Sequence, residues 1–208
     1  MVDEFKNVSN QEEFVERRNE INILKDKIAL LELIINRYRS TIEQTETKTI
    51  ADLKKMINPN DPEVKRIADE ISSSFKPYIY EKHFLEAAKK AHEFIRTIRT
   101  IRTPIDFWLM PSDVIKLRGG DPMDKAIFLC SILIRLDNNE SYVLVGINDG
   151  TKVAVIFKFN ELWYMFDPTG KETISGDKDE IIKKWFGEEK YIYEFNNNYY
   201  NQLKDYSD

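Results

Sequence analysis

Apolar residues at Ile21, Leu24, Ile28, Leu31, Ile35, Tyr38 and Ile42 alternate steps of three and four. That spacing predicts a coiled-coil helix. With Ile at the a positions and Leu at d, the seam favours two parallel strands, and the flanking pairs Glu20 with Lys25 and Lys27 with Glu32 attract between parallel partners. Ile23, Leu30, Leu33 and Ile34 widen the apolar face beyond a two-stranded seam, so packing of the helix on its own domain stays open beside dimerisation. The polar, Thr-rich stretch STIEQTETKT from Ser40 to Thr49 ends or bends the helix. An arm of residues 1–48 followed by a domain of residues 49–208 is the expected division.

Beyond the arm the pattern shifts. Asp61-Pro62 supplies an N-cap and a first-turn proline for a helix through Ile71, and a second helix spans Tyr80 to Arg99 with Phe84, Leu85, Ala88, Ala91, His92 and Ile95 on one side. His92 reads as a hydrogen-bonded core residue. Pro111 and Ser112 open a short helix closed by Gly119-Gly120, and Asp121-Pro122 restarts a helix through Leu136. Strands follow at Ser141–Asn148 and Thr151–Phe159 around an Asn-Asp-Gly turn, then at Leu162–Asp167, stopped by Pro168. Asp177 caps a helix through Trp185, Lys190–Phe195 is a last strand, and the tail from Asn196 frays. Helices that precede an antiparallel sheet define an α+β class.

Composition narrows the function. Lys and Arg number 31 against 36 Asp and Glu, a net charge of −5, which excludes a strongly basic nucleic-acid binder by bulk charge. A local basic face remains: IRTIRTIRT places Arg96, Arg99 and Arg102 at spacing three, and with Lys89 and Lys90 they form a candidate anion-binding stripe on a helix. A solvated helix end, where the dipole favours cations, accounts for the same residues. The single Cys130 excludes an intrachain disulfide and a Cys-based zinc site, and the two histidines, His83 and His92, cannot supply a multi-His metal centre, so no metal or cofactor is expected. The N-terminus lacks a secretory pattern and no run is apolar enough to span a membrane, so the expected location is cytoplasmic.

Phe107-Trp108, Pro111, a helix, RGGD at 118–121, Asp124-Lys125-Ala126 in an apolar helix, a hairpin and WYMFDPT at 163–169 together resemble the transglutaminase-like superfamily, with its papain-like core of helices packed on an antiparallel sheet. The resemblance covers about residues 60–170. It implies a helix-opening Cys after the GGD motif, a His at the start of a later strand, and an Asp before the final Pro-Thr. The chemistry of that family needs a thiolate at a helix N-terminus and an imidazole oriented by the Asp. Here Pro122 occupies the nucleophile's position, and Lys152 or Val153, depending on register, occupies the histidine's. Only Asp167 matches, and without an imidazole it reads as a turn or cap residue.

Asp121 and Asp124 pair as candidate acid and base, or simply cap a helix. Trp108 and Trp163, with these two aspartates, are candidates to line a residual cleft. Cys130 lies more than two helical turns beyond Pro122, as a buried thiol. The resulting expectation is a catalytically inactive transglutaminase-like domain that binds a protein or peptide or directs assembly as a homodimer. A hydrolase with a relocated site and an anion- or nucleic-acid-binding protein using residues 89–102 are the alternatives.

Overall fold

The computed structural model describes residues 2–46, 49–102, 107–147, 151–187, 189 and 191–203, with side chains from Arg17 onward except those of residues 46, 50 and 51. The turn expected at residues 148–150 and the expected strand start at residue 190 lie outside these. The chain forms two compact units, residues 1–47 and 48–208.

The first unit is one helix, α1 (Val2–Glu46). It runs into the Thr-rich stretch and ends there at Glu46, with Thr45 Oγ1 donating to the Thr41 carbonyl at 2.8 Å, a back-bond that competes with the helical ladder. Its seam residues Ile21, Leu24, Ile28, Leu31 and Tyr38, and the wider set Ile23, Leu30, Leu33 and Ile34, are 43–58 % exposed. Ile35 and Ile42 are half-buried.

The second unit is mixed α+β. After α2 (Ile50–Leu53) and a single 3-10 turn (Lys54–Met56), α3 (Pro62–Ser73) starts at Asp61, whose carboxylate accepts from the Glu63 and Val64 N–H groups. Helix α4 (Tyr80–Thr97) follows, then β1 (Arg99–Thr100), α5 (Pro111–Leu117), β2 (Gly119–Gly120) and α6 (Pro122–Arg135). The remaining elements are β3 (Ser141–Ile147), β4 (Thr151–Phe159), β5 (Leu162–Phe166), β6 (Thr173–Gly176), α7 (Lys178–Phe186), β7 (Tyr191–Phe195) and β8 (Tyr200–Leu203). Strands β3 to β8 make an open antiparallel sheet in the order β6-β5-β4-β3-β7-β8. Among the described residues no helix is long and apolar enough to cross a membrane.

Both faces of the sheet are covered. Val153, Val155, Phe157 and Phe159 alternate along β4 toward the cluster that contains the buried faces of α3, α4 and α6. The intervening Ala154 and Ile156 pack with Leu144, Met165 and Ile192 against Ile181, Ile182 and Phe186 of α7. Gly146 is required there, because a Cβ on it would lie 2.7 Å from the Phe186 ring.

Three expectations are corrected. The helix expected to reach Arg99 ends at Thr97, because β1 is drawn out to pair in parallel with β2, Arg99 opposite Gly119 and Thr100 opposite Gly120. Arg118 itself closes α5 in the left-handed conformation at φ 48°, and the buried glycines serve the pairing, since a Cβ on Gly119 would meet Ile101 at 2.8 Å. The tail beyond Asn196 does not simply fray: Asn196 Oδ1 accepts from the Asn198 and Tyr199 N–H groups, and the resulting turn returns the chain as β8.

Phe157 centres the helix-side core, with ring centroids 5.5 Å from Phe84, 5.3 Å from Tyr164 and 5.0 Å from Phe166. Phe157→Ala is expected to lower unfolding stability by about 3 to 5 kcal/mol in a urea titration, whereas Leu162→Ala, at an exposed position, should change it by less than about 0.5 kcal/mol.

Candidate functional site

The N-terminus of α6 is built from its own first turn. Asp121 is the N-cap and accepts from the Asp124 N–H at 2.7 Å, while Asp124 Oδ2 accepts from the Asp121 N–H at 3.0 Å, a reciprocal capping box. Asp124 Oδ1 also accepts from the Leu109 N–H at 3.0 Å, tying the segment beside Trp108 to the helix. Pro122 occupies the first helical position and is exposed. Burial of Asp124 and the neighbouring Asp121 carboxylate push the Asp124 carboxyl up to about 7, against the pull of the two N–H groups.

Asp167 ends β5 on the neighbouring part of the site. Its Oδ1 accepts from the Thr169 N–H and hydroxyl, each at 2.8 Å, so the carboxylate holds an Asx turn. His92 Nε2 donates to the Asp167 carbonyl at 2.5 Å, and the imidazole stacks on Phe166 with centroids 4.7 Å apart. Burial holds the imidazole below its ordinary basicity. Lys125 is 1 % exposed and donates to the Ile98 carbonyl at 2.9 Å and the Thr100 hydroxyl at 3.3 Å. Its ammonium is also made less basic by burial, with Asp167 opposing the shift. His92 and Lys125 thus join Asp167 in one region. Local pattern finds His92 only as a core residue; its contact spans 75 residues of sequence and has no local signal.

The structure separates other candidates. Val153 belongs to the helix-side core, whereas Lys152 points to the other face, where its Nζ donates to the Trp185 carbonyl and lies 4.8 Å from the Trp185 ring centroid. Trp108 packs against the helix-side core, but Trp163 packs on the α7 side, so the two tryptophans do not line one cleft. Cys130 is fully buried, donates weakly to the Ser141 carbonyl at 3.5 Å, and is pushed up in pKa by burial. His83 accepts the Ile79 N–H at 3.0 Å on Nδ1 and stacks on Phe75, in a different region of α4.

The expected basic stripe is not one helical face. Lys89 and Lys90 lie on α4, Arg96 in its last turn, Arg99 in β1 and Arg102 beyond it. Lys90 is already engaged, donating to Ser74 Oγ at 2.8 Å, pairing with Glu86 at 3.6 Å and lying over the Phe75 ring. Among the described residues no group of three or more His, Cys, Asp or Glu is arranged to hold a metal ion.

Compared with known proteins, the chain matches no family model, no curated protein and no solved structure.

Asp124→Ala strips the acceptor from two backbone N–H groups, and is expected to cost about 2 to 4 kcal/mol of unfolding stability. Native Asp124 holds its proton up to about 7, against an ordinary value of 3.8, so the folded state binds more protons between these limits. The Asp124 contribution therefore grows on acidification from about pH 7 toward about pH 4 and is lost as the pH climbs again. Urea midpoints measured across that range should show the gap between the native chain and Asp124→Ala widening at the acidic end.

Proposed function

We propose that the second unit is a catalytically inactive transglutaminase-like domain that works as a protein-binding or assembly module, paired through α1 into a homodimer. The observation that carries this reading is the first turn of α6, where an exposed Pro122 follows Gly119-Gly120-Asp121 in place of a nucleophile. Proline has neither a reactive group nor an N–H to offer an oxyanion. The sequence's one thiol, Cys130, is sealed in the core and shifted away from the thiolate, and His92 is engaged with a backbone carbonyl. Asp121 Oδ1 and both oxygens of Asp124 accept backbone N–H groups, which argues against a relocated acid and base pair.

The pairing reading rests on α1. Its seam residues Ile21, Leu24, Ile28, Leu31 and Tyr38 are exposed, and the flanking pairs Glu20 with Lys25 and Lys27 with Glu32 are opposite in sign, as a parallel partner requires. Two copies joined in this way present two binding faces, and a weak contact made twice becomes a firm one.

Purified protein should give no turnover of amide or peptide substrates, and a thiol reagent should label Cys130 only after denaturation. Turnover that disappears in Cys130→Ala overturns the inactive reading. In light scattering the full chain should show twice its 24.6 kDa mass, and Ile28→Glu with Leu31→Glu should return it to one; a native chain of single mass refutes the pairing.

A further inference from the structure

The end of α6 opposite Pro122 borders a cavity of about 240 Å³ in the second unit, between α3 and the chain that leaves α6. Asp69 and Ser72 line it from α3, Tyr78 from the segment before α4, and Arg135, Leu136 and Asp137 from the close of α6. Its mouth is charged and its floor is not. Asp69, Arg135 and Asp137 are exposed, Ser72 and Tyr78 are half-buried, and Ala68 and Leu136 beneath them are buried. Pockets for drug-sized ligands run from about 300 to 1,000 Å³, so this one suits a ligand of only a few heavy atoms.

Charges of both signs line the cavity without meeting one another. Among the described residues none makes an ion pair or a hydrogen bond with the side chain of Asp69, Arg135 or Asp137. On the same helix Arg66 takes Glu63 at 2.9 Å and Glu70 at 2.7 Å, which leaves Asp69 to the cavity. Two hydroxyls add acceptors. Tyr78 donates to the Leu136 carbonyl at 3.0 Å and Ser72 to the Asp69 carbonyl at 3.1 Å, so each has used its one proton and offers a ligand only lone pairs. Burial, and after it the Asp137 carboxylate, hold the Tyr78 phenol above its ordinary value, so that proton stays in place. The carbonyl end of α6 adds the negative end of its dipole. This acceptor-rich side calls for a cation that carries N–H groups. Arg135 calls for the opposite, since a guanidinium has five donors, no acceptor, and a fork that matches a carboxylate.

We propose that this cavity binds a free α-amino acid with a short side chain, its ammonium held by Asp69, Asp137 and the Tyr78 and Ser72 oxygens and its carboxylate by Arg135. Either charge alone gains little at so exposed a site, because water and salt screen a single contact. A ligand that carries both makes the second contact without a second loss of freedom.

Titration of the full chain with alanine, propionate and ethylamine, followed through backbone amide shifts by NMR, tests this. Alanine should shift the amides of residues 69, 72 and 135–137 saturably, with half-saturation on the order of 1 mM. Propionate and ethylamine, each keeping one of the two charges, should bind at least about tenfold more weakly. Arg135→Gln and Asp69→Asn, at exposed positions, should each weaken alanine binding at least about tenfold, with the dispersion of the amide spectrum reporting that the fold is kept. Absence of saturable shifts with alanine, shifts confined to other parts of the chain, propionate or ethylamine bound as tightly as alanine, or alanine binding untouched by both substitutions overturns the proposal.

Discussion

Helix α6 has no solvent face between Met123 and Ile134, so each polar atom along that stretch must find its partner inside the protein. Four side chains meet that demand by reaching different elements. Asp124 takes the Leu109 and Asp121 N–H groups, and Lys125 holds the Ile98 carbonyl at the entry to β1. Cys130 leans on the Ser141 carbonyl of β3. Ser131 donates to Ile127 and accepts the Asn58 N–H ahead of α3. An unpartnered buried group costs about 1 to 3 kcal/mol, a large share of the net stability of a domain. The order of packing around α6 therefore follows from its polar atoms as much as from its apolar ones.

This explains what the sequence makes legible. Helix starts are local events, and Asp61-Pro62 and Asp121-Pro122 announce α3 and α6 within three residues. The alternation of Val153, Val155, Phe157 and Phe159 likewise marks β4. The parallel pair β1 and β2 has no such mark, because two residues cannot show a period and their partners lie twenty residues apart. That pairing also dissolved the Arg96, Arg99 and Arg102 stripe, since three arginines at helical spacing mean little once the chain between them becomes extended.

The candidate site was legible to the same degree. Adjacent residues such as Asp121 and Asp124 show their relationship in sequence, whereas His92 and Asp167 meet only through the fold. Trp163 shows the limit of period two. Alternation separates it from Tyr164, but with helices on both faces of the sheet it cannot say which face holds which residue. The contacts of Lys178 with the Tyr142 and Trp163 rings were hidden for that reason, since the two rings stand on different strands.

The first turn of α6 also bears on whether an anion could be held there. A helix N-terminus stabilises an anion because its leading N–H groups point outward without partners. Here Pro122 has no N–H, the Asp124 N–H goes to the Asp121 carboxylate, and the Lys125 N–H goes to the Asp121 carbonyl at 3.1 Å. The same two carboxylates place acidic groups at the positive end of the dipole. A substrate oxyanion would find one backbone donor at most, that of Met123, set between acidic side chains, so the terminus is arranged to secure the helix rather than to receive charge.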